Sequence, residues 1–342
     1  MKHEIIIGDC LDSLAELPAD TFQTCITSPP YYQLRDYGVD GQIGLEDSLE
    51  EHIGALVDVF RAVRRVLRPD GTLWMNYGDA YQDKQLLGLP WRLAFALQAD
   101  GWWLRSDIIW HKPNPMPSSV TDRPTSSHEY MFLLSPSQKY FYDADAVREK
   151  AVKGDANAGP RNYRGIAGRK QVGQTHQSVE QGRNLRDVWT IPIFGLSAAH
   201  FATFPPKLVE PCIKAGTSEK GRCPACGAPW RRIVEAAGGS IGAQADHHDD
   251  LKTGNKQDHS TGWSDGTYKR TTKGWEPTCE CSDAPPVPCK VLDPFGGAGT
   301  VGLVADRLGR DSTLLELNPE YAELARKRLI DDAPLLCEVK IL

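Results

Sequence analysis

Apolar positions along the chain alternate between short solid runs and stretches with helical spacing, which predicts strands alternating with helices. Residues 4–7 read as a first strand, 11–17 as a short helix and 21–26 as a second strand. Apolar residues return at helical intervals over 49–67 and stop at Arg68-Pro69-Asp70-Gly71, a turn that delivers a strand over 72–76. A helix is expected over 89–99, and strands over 102–110 and 129–134 form a closing hairpin. Their link opens with His111-Lys112-Pro113-Asn114-Pro115-Met116-Pro117-Ser118-Ser119, too rich in proline for regular structure. It either borders a binding pocket or runs over the surface as a plain loop. Downstream, 208–215 is an apolar helical stretch, and a strand at 290–293, a helix at 300–308 and a strand at 312–315 repeat the rhythm. The class is therefore α/β, with a doubly wound, mostly parallel sheet of Rossmann type.

Two motifs stand where strands end. The first, Thr27-Ser28-Pro29-Pro30-Tyr31-Tyr32, follows the second strand. Proline removes backbone donors and restricts the residue before it, so the carbonyls of Ser28 and Pro29 are held in place beside an aromatic face. That suits an exocyclic amine, whose lone pair is freed from the ring when acceptors engage its N–H groups. Ser28 Oγ and the Pro29 carbonyl supply acceptors, and Tyr31 a stacking wall. A base amine is out of reach inside a duplex, so the site implies a flipped or single-stranded nucleotide. The plain alternative is a turn closing a strand, with both tyrosines packing.

The second motif, Asp293-Pro294-Phe295-Gly296-Gly297-Ala298-Gly299-Thr300, joins a strand to a helix. Residues 297–302 fit the G-x-G-x-x-G template, and Glu316 lies nineteen positions after Gly297. Glycines admit a ligand to the backbone, a helix start favours an anionic group, and an acid after the next strand takes ribose hydroxyls. By template alone a nicotinamide dinucleotide is the first guess; the Asp-Pro-Phe lead-in argues against it.

With the Pro-Pro-Tyr element first and the glycine motif last, the chain resembles the amino-group DNA methyltransferases of the permuted (beta) class over nearly its whole length. Gly8-Asp9-Cys10-Leu11, Leu67-Arg68-Pro69-Asp70-Gly71-Thr72, His200-Phe201-Ala202-Thr203-Phe204-Pro205 and Glu316-Leu317-Asn318-Pro319-Glu320-Tyr321 match the habits of that family. The resemblance implies a circularly permuted, seven-stranded methyltransferase sheet with S-adenosylmethionine as cofactor. It implies a catalytic set of Ser28, Pro29, Pro30 and Tyr31. Asp293, Pro294, Phe295, Gly297, Gly299 and Thr300 fall at the methionine end of the cofactor, and Glu316, with Leu317 and Asn318, at its ribose. Asp9 and Cys10 fall beside its adenine, and Thr203, Phe204 and Pro205 close the pocket. In this family Ser-Pro-Pro-Tyr goes with cytosine N4 and Asp-Pro-Pro-Tyr with adenine N6, so Ser28 points to cytosine. Adenine N6 is the alternative, since a serine can orient either amine. The implied partner is double-stranded DNA entered by base flipping, with any restriction nuclease a separate protein.

Other readings fare worse. Protein glutamine methyltransferases resemble the unpermuted order and begin their tetrapeptide with asparagine. Cytosine C5 enzymes need a nucleophilic cysteine after proline, which Pro211-Cys212 and Pro288-Cys289 offer in sequence. Cys212, however, sits in an apolar helical stretch where a cysteine packs as a small hydrophobe. A silent DNA-binding protein would not be expected to keep both motifs intact, and an enzyme acting on RNA is a further alternative.

The net charge of −6 suits a DNA-binding protein poorly until it is divided along the chain. Residues 148–232 hold fifteen Lys or Arg against six Asp or Glu, which leaves −15 for the remainder. Arg161, Arg164, Arg169, Lys170, Arg183 and Arg186 cluster there among Asn162, Tyr163, Gln171 and Gln174, side chains able to hold phosphates and read bases. The segment is expected to recognise the target; a solvated glycine-rich loop is the plain alternative.

Cys223-Pro224-Ala225-Cys226-Gly227 and Cys279-Glu280-Cys281 could supply four thiolates to a structural zinc ion, or be unrelated thiol pairs. Residues 236–275, poor in apolar side chains, read as a mobile loop held at its base by the metal. The expected division is 1–147 for the catalytic half, 148–192 for target recognition and 193–216 for the cofactor-pocket segment. A zinc-ribbon-like insertion follows over 217–284, and the cofactor-binding half over 285–342. Nothing in the sequence is long and apolar enough for a membrane helix, and a strand-like start is unlike a signal peptide, so a reducing cytoplasmic location is expected.

Overall fold

Among the described residues, nine strands join in one sheet in the computed structural model of the chain. The structure describes residues 1–36, 38–150, 183–193, 195, 204–237, 269–281, 284–334 and 337–342. The elements are β1 (Lys2–Ile7), α1 (Cys10–Glu16), β2 (Phe22–Thr27), α2 (Leu49–Val66), β3 (Leu67–Tyr77), β4 (Tyr81–Gln82), β5 (Gln85–Leu86), α3 (Leu89–Ala99), β6 (Trp103–His111) and β7 (His128–Ser135). They continue with β8 (Val188–Thr190), α4 (Pro206–Gly216), β9 (Trp230–Ala237), β10 (Lys269–Pro277), β11 (Lys290–Asp293), α5 (Thr300–Arg307), β12 (Asp311–Glu316), α6 (Pro319–Asp332) and β13 (Glu338–Ile341).

The main sheet has the order β13-β1-β12-β11-β2-β3-β7-β6-β8. Neighbours from β13 through β3 pair parallel, and β7 runs against both β3 and β6. The seven expected strands are all present, and the short β13 and β8 extend the sheet at its edges by pairing with β1 and β6. The turn expected at Arg68 to Gly71 appears as an irregularity inside β3: Phe22 pairs with Leu67 and Thr24 already with Thr72.

Alternation along the strands sends successive side chains to opposite faces. Cys25, Leu73, Met75, Leu292 and Leu315 pack with α1, α2 and α3 in one core. The other face is thin enough for close helix approach: a Cβ on Gly216 of α4 would lie 2.6 Å from Thr72 Oγ1, and one on Gly302 of α5 would meet Leu314 at 3.1 Å. Among the described residues, three helices on each face make the fold doubly wound. Helix α2 shows why the pattern was legible. Ser48 caps it by accepting from the Glu51 amide, Glu50 and Glu51 open it and Arg64 and Arg65 close it, and Leu56, Val59, Phe60, Val63 and Val66 form its buried stripe. Each such large apolar side chain contributes about 1.5–3 kcal/mol by leaving water.

The chain divides into two units: Met1–Val147 with Arg186–Arg231 and Pro277–Leu342, and Arg148–Leu185 with Arg232–Glu276. The main sheet lies in the first. In the second, Glu149 and Arg183 form a two-way backbone bridge at 2.9 and 2.8 Å, and Arg232 lies 4.3 Å over the Trp275 ring. At the two ends of the loop expected over 236–275, β9 runs to Ala237 and β10 starts at Lys269, paired as a ribbon, while 238–268 lie outside the described residues. Backbone pairing and contacts of arginine with tryptophan and threonine hold a segment that lacks the apolar alternation of a buried strand. Among the described residues no helix is long and apolar enough to cross a membrane.

Candidate active site

Strand β2 lies beside β11, with Val291 opposite Thr24 and Leu292 opposite Cys25, so the two motifs end at the same sheet edge. A hydrogen bond ties them together: Thr27 Oγ1 donates to Asp293 Oδ1 at 2.7 Å, with both residues buried. From β2 the chain moves outward to β3, and from β11 outward to β12 in the opposite direction. A crevice outside the carboxyl ends of the strands is expected at such a switch point. Ser28 follows β2, Asp293 ends β11, Glu316 ends β12 and Asp9 follows β1, so four adjacent parallel strands aim these residues at one edge.

On the glycine-motif side, the turn is built by backbone bonds. Gly296 N–H donates to Leu315 O at 2.7 Å and Gly299 N–H to Gly296 O at 2.8 Å. Gly299 has φ +72°, and a Cβ there would stand 2.8 Å from Ala325 Cβ, so only glycine lets α6 approach. Gly297, at φ +48°, differs: the nearest atom to a Cβ would be Phe295 O at 3.9 Å, which leaves its backbone open to a ligand. Glu316 is held by two amides, Gly297 N–H to Oε2 at 2.7 Å and Asn318 N–H to Oε1 at 2.8 Å, and burial raises its pKa. Burial also pushes the Asp293 carboxyl up to about 7, although Thr27 and the Phe295 amide hydrogen-bond it. Thr300 is buried, its Oγ1 within 2.9 Å of Arg328 Nη1.

Asp9 caps α1, its Oδ1 accepting from Leu11 N–H at 2.8 Å, while Gly8 N–H donates to Glu316 O at 3.0 Å. Cys10 is buried and its thiol is pushed up to about 12 by that burial. Pro294 is buried, Phe295, Leu317 and Asn318 are half-buried, and Asn318 caps α6. Phe204 is half-buried and Pro205 buried at the start of α4, which packs on β2 and α5; Thr203 lies outside the described residues.

On the Pro-Pro-Tyr side, Pro29 is buried and Ser28, Pro30 and Tyr31 are half-buried. The Tyr31 ring stands edge-on to Tyr77, with centroids 5.1 Å apart, and its hydroxyl donates to Glu129 Oε2 at 2.9 Å. Burial raises the Tyr31 phenol well above its ordinary pKa, and the neighbouring Ser28 side chain works against that rise. Glu129 also accepts from Asn76 Nδ2 at 3.1 Å and pairs with Lys112, whose ammonium lies 4.4 Å over Trp110. Behind Tyr77, His52 is fully buried between Glu46 Oε2 and Tyr77 Oη, each at 2.7 Å. Sequence reasoning missed Glu129, Asn76, Lys112, His52 and Glu46. The available signal was a carboxylate and an amide inside otherwise apolar strands, since the register setting Met131 opposite Asn76 brings them together.

The proline-linked cysteines are unsuited to nucleophilic attack. Cys212 is buried in α4 with its thiol raised well above the ordinary value by desolvation, and Cys289 is pushed up to about 11. Of the basic residues expected to meet DNA, Arg161, Arg164, Arg169 and Lys170 lie outside the described residues. Arg186 is exposed, and Arg183 is engaged by Glu149 Oε2 at 2.8 Å.

Away from this edge, the sulfurs of Cys223, Cys226, Cys279 and Cys281 all lie within 4.8 Å of one another, a set able to hold a metal ion. Amides of Cys226 and Ala225 bring the Cys223 thiol down to about 7, whereas its neighbours Cys226 and Cys279 push Cys281 up to about 12.

The sequence profile of a DNA methylase family matches residues 22–223. Among curated proteins, the type II methyltransferase M.Cfr9I of Citrobacter freundii is 36% identical, over 94% of this chain and 86% of its own. M.SmaI of Serratia marcescens is 35% identical, over 96% of this chain and 90% of its own. Among solved structures, the PvuII DNA methyltransferase, described as cytosine-N4-specific, matches with a TM-score of 0.58 at 18% identity, over 100% of this chain and 95% of its own. A Thermus thermophilus protein crystallised with S-adenosyl-L-methionine matches at 0.54 and 19%, over 99% of each chain. The chain thus shares the fold of these two proteins, one of which was crystallised with S-adenosyl-L-methionine. The profile, the full-length relatives and two motifs joined at one strand edge lead to one conclusion: the chain belongs to this DNA methylase family and is a type II DNA methyltransferase of its N4/N6 kind.

Proposed function

We propose that this methyltransferase modifies the N4 amino group of cytosine in double-stranded DNA, at a base swung out of the helix. The observation that carries this reading is Ser28 at the tip of β2, one residue beyond the Thr27–Asp293 bond that joins the two motifs. In the resembling family a serine at this position goes with cytosine. Ser28 Oγ and the Pro29 carbonyl accept from the amine and stabilise the positive charge that develops on its nitrogen as the new bond forms. Pro30 stiffens the turn, and Tyr31, held by Glu129 and Tyr77, gives the flipped base a fixed wall. Glu129 acts through Tyr31 and is a positioning residue.

The residues of the other three strand ends fit S-adenosylmethionine. The open face of Gly297 leaves room for a ligand against the backbone, the Asp293 carboxylate suits a cationic methionine end, and Glu316 is oriented to accept ribose hydroxyls. When bound, this cofactor supplies a methyl group on a sulfonium centre, ready for direct displacement. Pro294, Phe295, Gly299 and Thr300 shape the methionine end, and Leu317 and Asn318 the ribose side. Asp9 and Cys10 flank the adenine, and Phe204 and Pro205 close the pocket. Segment 148–192 recognises the target sequence, and a partner nuclease, where one exists, is a separate chain.

The test is in-cell modification. DNA from cells expressing the protein, digested to nucleosides and analysed by mass spectrometry, is expected to contain N4-methylcytosine that the vector control lacks. N6-methyladenine in its place would overturn the assignment to cytosine while keeping the family.

A further inference from the structure

The four-cysteine cluster is made by two segments more than fifty residues apart in sequence, Cys223 to Cys226 and Cys279 to Cys281. Tetrahedral zinc with Zn–S bonds of about 2.3 Å sets its sulfurs about 3.8 Å apart, and these lie within 4.8 Å of one another. The first segment already has the shape of a metal knuckle. Gly227 N–H donates to Cys223 O at 2.9 Å, Cys223 N–H to Ala228 O at 2.8 Å, and Gly227 adopts φ +72°, which frees the turn to close on the sulfur. Thr278 Oγ1 donates to Pro229 O at 2.7 Å and brings the second segment alongside.

What the knuckle touches is the catalytic sheet, at the end far from Ser28. Gln23, buried near the start of β2, donates from Nε2 to Gly227 O at 3.2 Å and accepts at Oε1 from the Lys290 amide at the start of β11, at 2.7 Å. Arg68 of β3 reaches the Cys226 carbonyl while its Nε binds Asp70 at 2.8 Å. Arg222, next to the first ligand, exchanges backbone bonds with Val287 at 2.8 and 3.0 Å and donates to Pro288 O at 3.0 Å, on the segment leading into β11. The starts of β2, β3 and β11, the strands that carry the reaction at their other ends, thus share one knuckle.

We propose that Cys223, Cys226, Cys279 and Cys281 bind a single structural Zn²⁺ ion, and that the ion stabilises the catalytic sheet through Gln23 and Arg68. Four thiolates complete the coordination shell and leave no position for substrate, so the ion has no part in methyl transfer.

The full-length chain, expressed in zinc-supplemented medium and purified without chelator, is expected to carry about one zinc per chain by plasma mass spectrometry. Titration with a mercurial reagent should release it. Metal-free protein, iron in the site, or a disulfide among these cysteines in non-reducing peptide mapping would each overturn the proposal. Cys281→Ser should lose most of the zinc; should that variant be insoluble, chelator stripping of the unaltered protein supplies the same readout. Stripping is expected to lower the melting temperature by about 5 °C or more. Arg68→Ala should keep its zinc while that drop shrinks to about half, because the link to the sheet is weakened. An equal drop in both proteins would sink the coupling to the sheet.

Discussion

Replacing Asp293 by asparagine removes a carboxyl whose proton should report cofactor binding. In the free protein burial holds Asp293 up at about 7, so about nine-tenths of the molecules carry its proton at pH 6, about half at pH 7 and about a tenth at pH 8. A cationic methionine end beside it favours the carboxylate, so binding should expel the proton. The sign follows directly: affinity is full above pH 7 and is lost as pH falls through 7, by about ninetyfold between pH 8 and pH 5, or about 2.7 kcal/mol. The same raised pKa makes the cofactor-free fold lose stability as pH rises from the ordinary carboxyl range to about 7, since the unfolded chain ionises first. Calorimetric titration of S-adenosylmethionine in two buffers of different ionisation enthalpy counts the protons directly. Near pH 6 about 0.9 proton should be released per cofactor bound, and Asp293→Asn should bind more weakly, with no release from this site. Binding that is flat from pH 5 to pH 8 and releases no proton in the unaltered protein would refute the placement of Asp293 beside the cofactor cation.

Ser28→Ala should lower turnover at least about a hundredfold while leaving the cofactor dissociation constant unchanged, as measured by tritium transfer and by calorimetry. Glu129→Gln weakens the pairing with Lys112 and the hold on the Tyr31 hydroxyl, and should lower kcat about tenfold with little change in cofactor affinity. An unchanged kcat would remove Glu129 from its positioning role. Gly299→Ala forces a side chain onto a φ of +72° and to 2.8 Å from Ala325 Cβ, and should destabilise the protein by about 1–3 kcal/mol in urea unfolding, with a matching loss of cofactor affinity.

The sequence revealed those elements whose own residues decide them. Helix α3 runs over the expected span of 89–99 because Pro90 opens it and Gly101 follows its end, and β11 occupies 290–293 because its apolar run is buried on both faces. The edge strands β8 and β13 were hidden, being three and four residues long with partners far away in sequence. The ribbon of β9 and β10 was hidden because its apolar residues, such as Trp230, Ile233 and Val234, do not alternate with polar ones and its order comes from pairing. In the site, the residues on glycine and proline turns were legible because those residue types have few conformations. Glu129 was not: its role is created by strand register, which brings Asn76, Tyr31 and Lys112 around one carboxylate.

In the proposed reaction the two motifs form one site acting on a cytosine amine in duplex DNA. Purified protein incubated with trideuteromethyl-labelled S-adenosylmethionine and unmodified plasmid DNA, followed by nucleoside mass spectrometry, tests it most directly. The label is expected in N4-methylcytosine, with none in an RNA control and none after Ser28→Ala. Label in N6-methyladenine, label in RNA alone, or full labelling by the Ser28→Ala protein would contradict it.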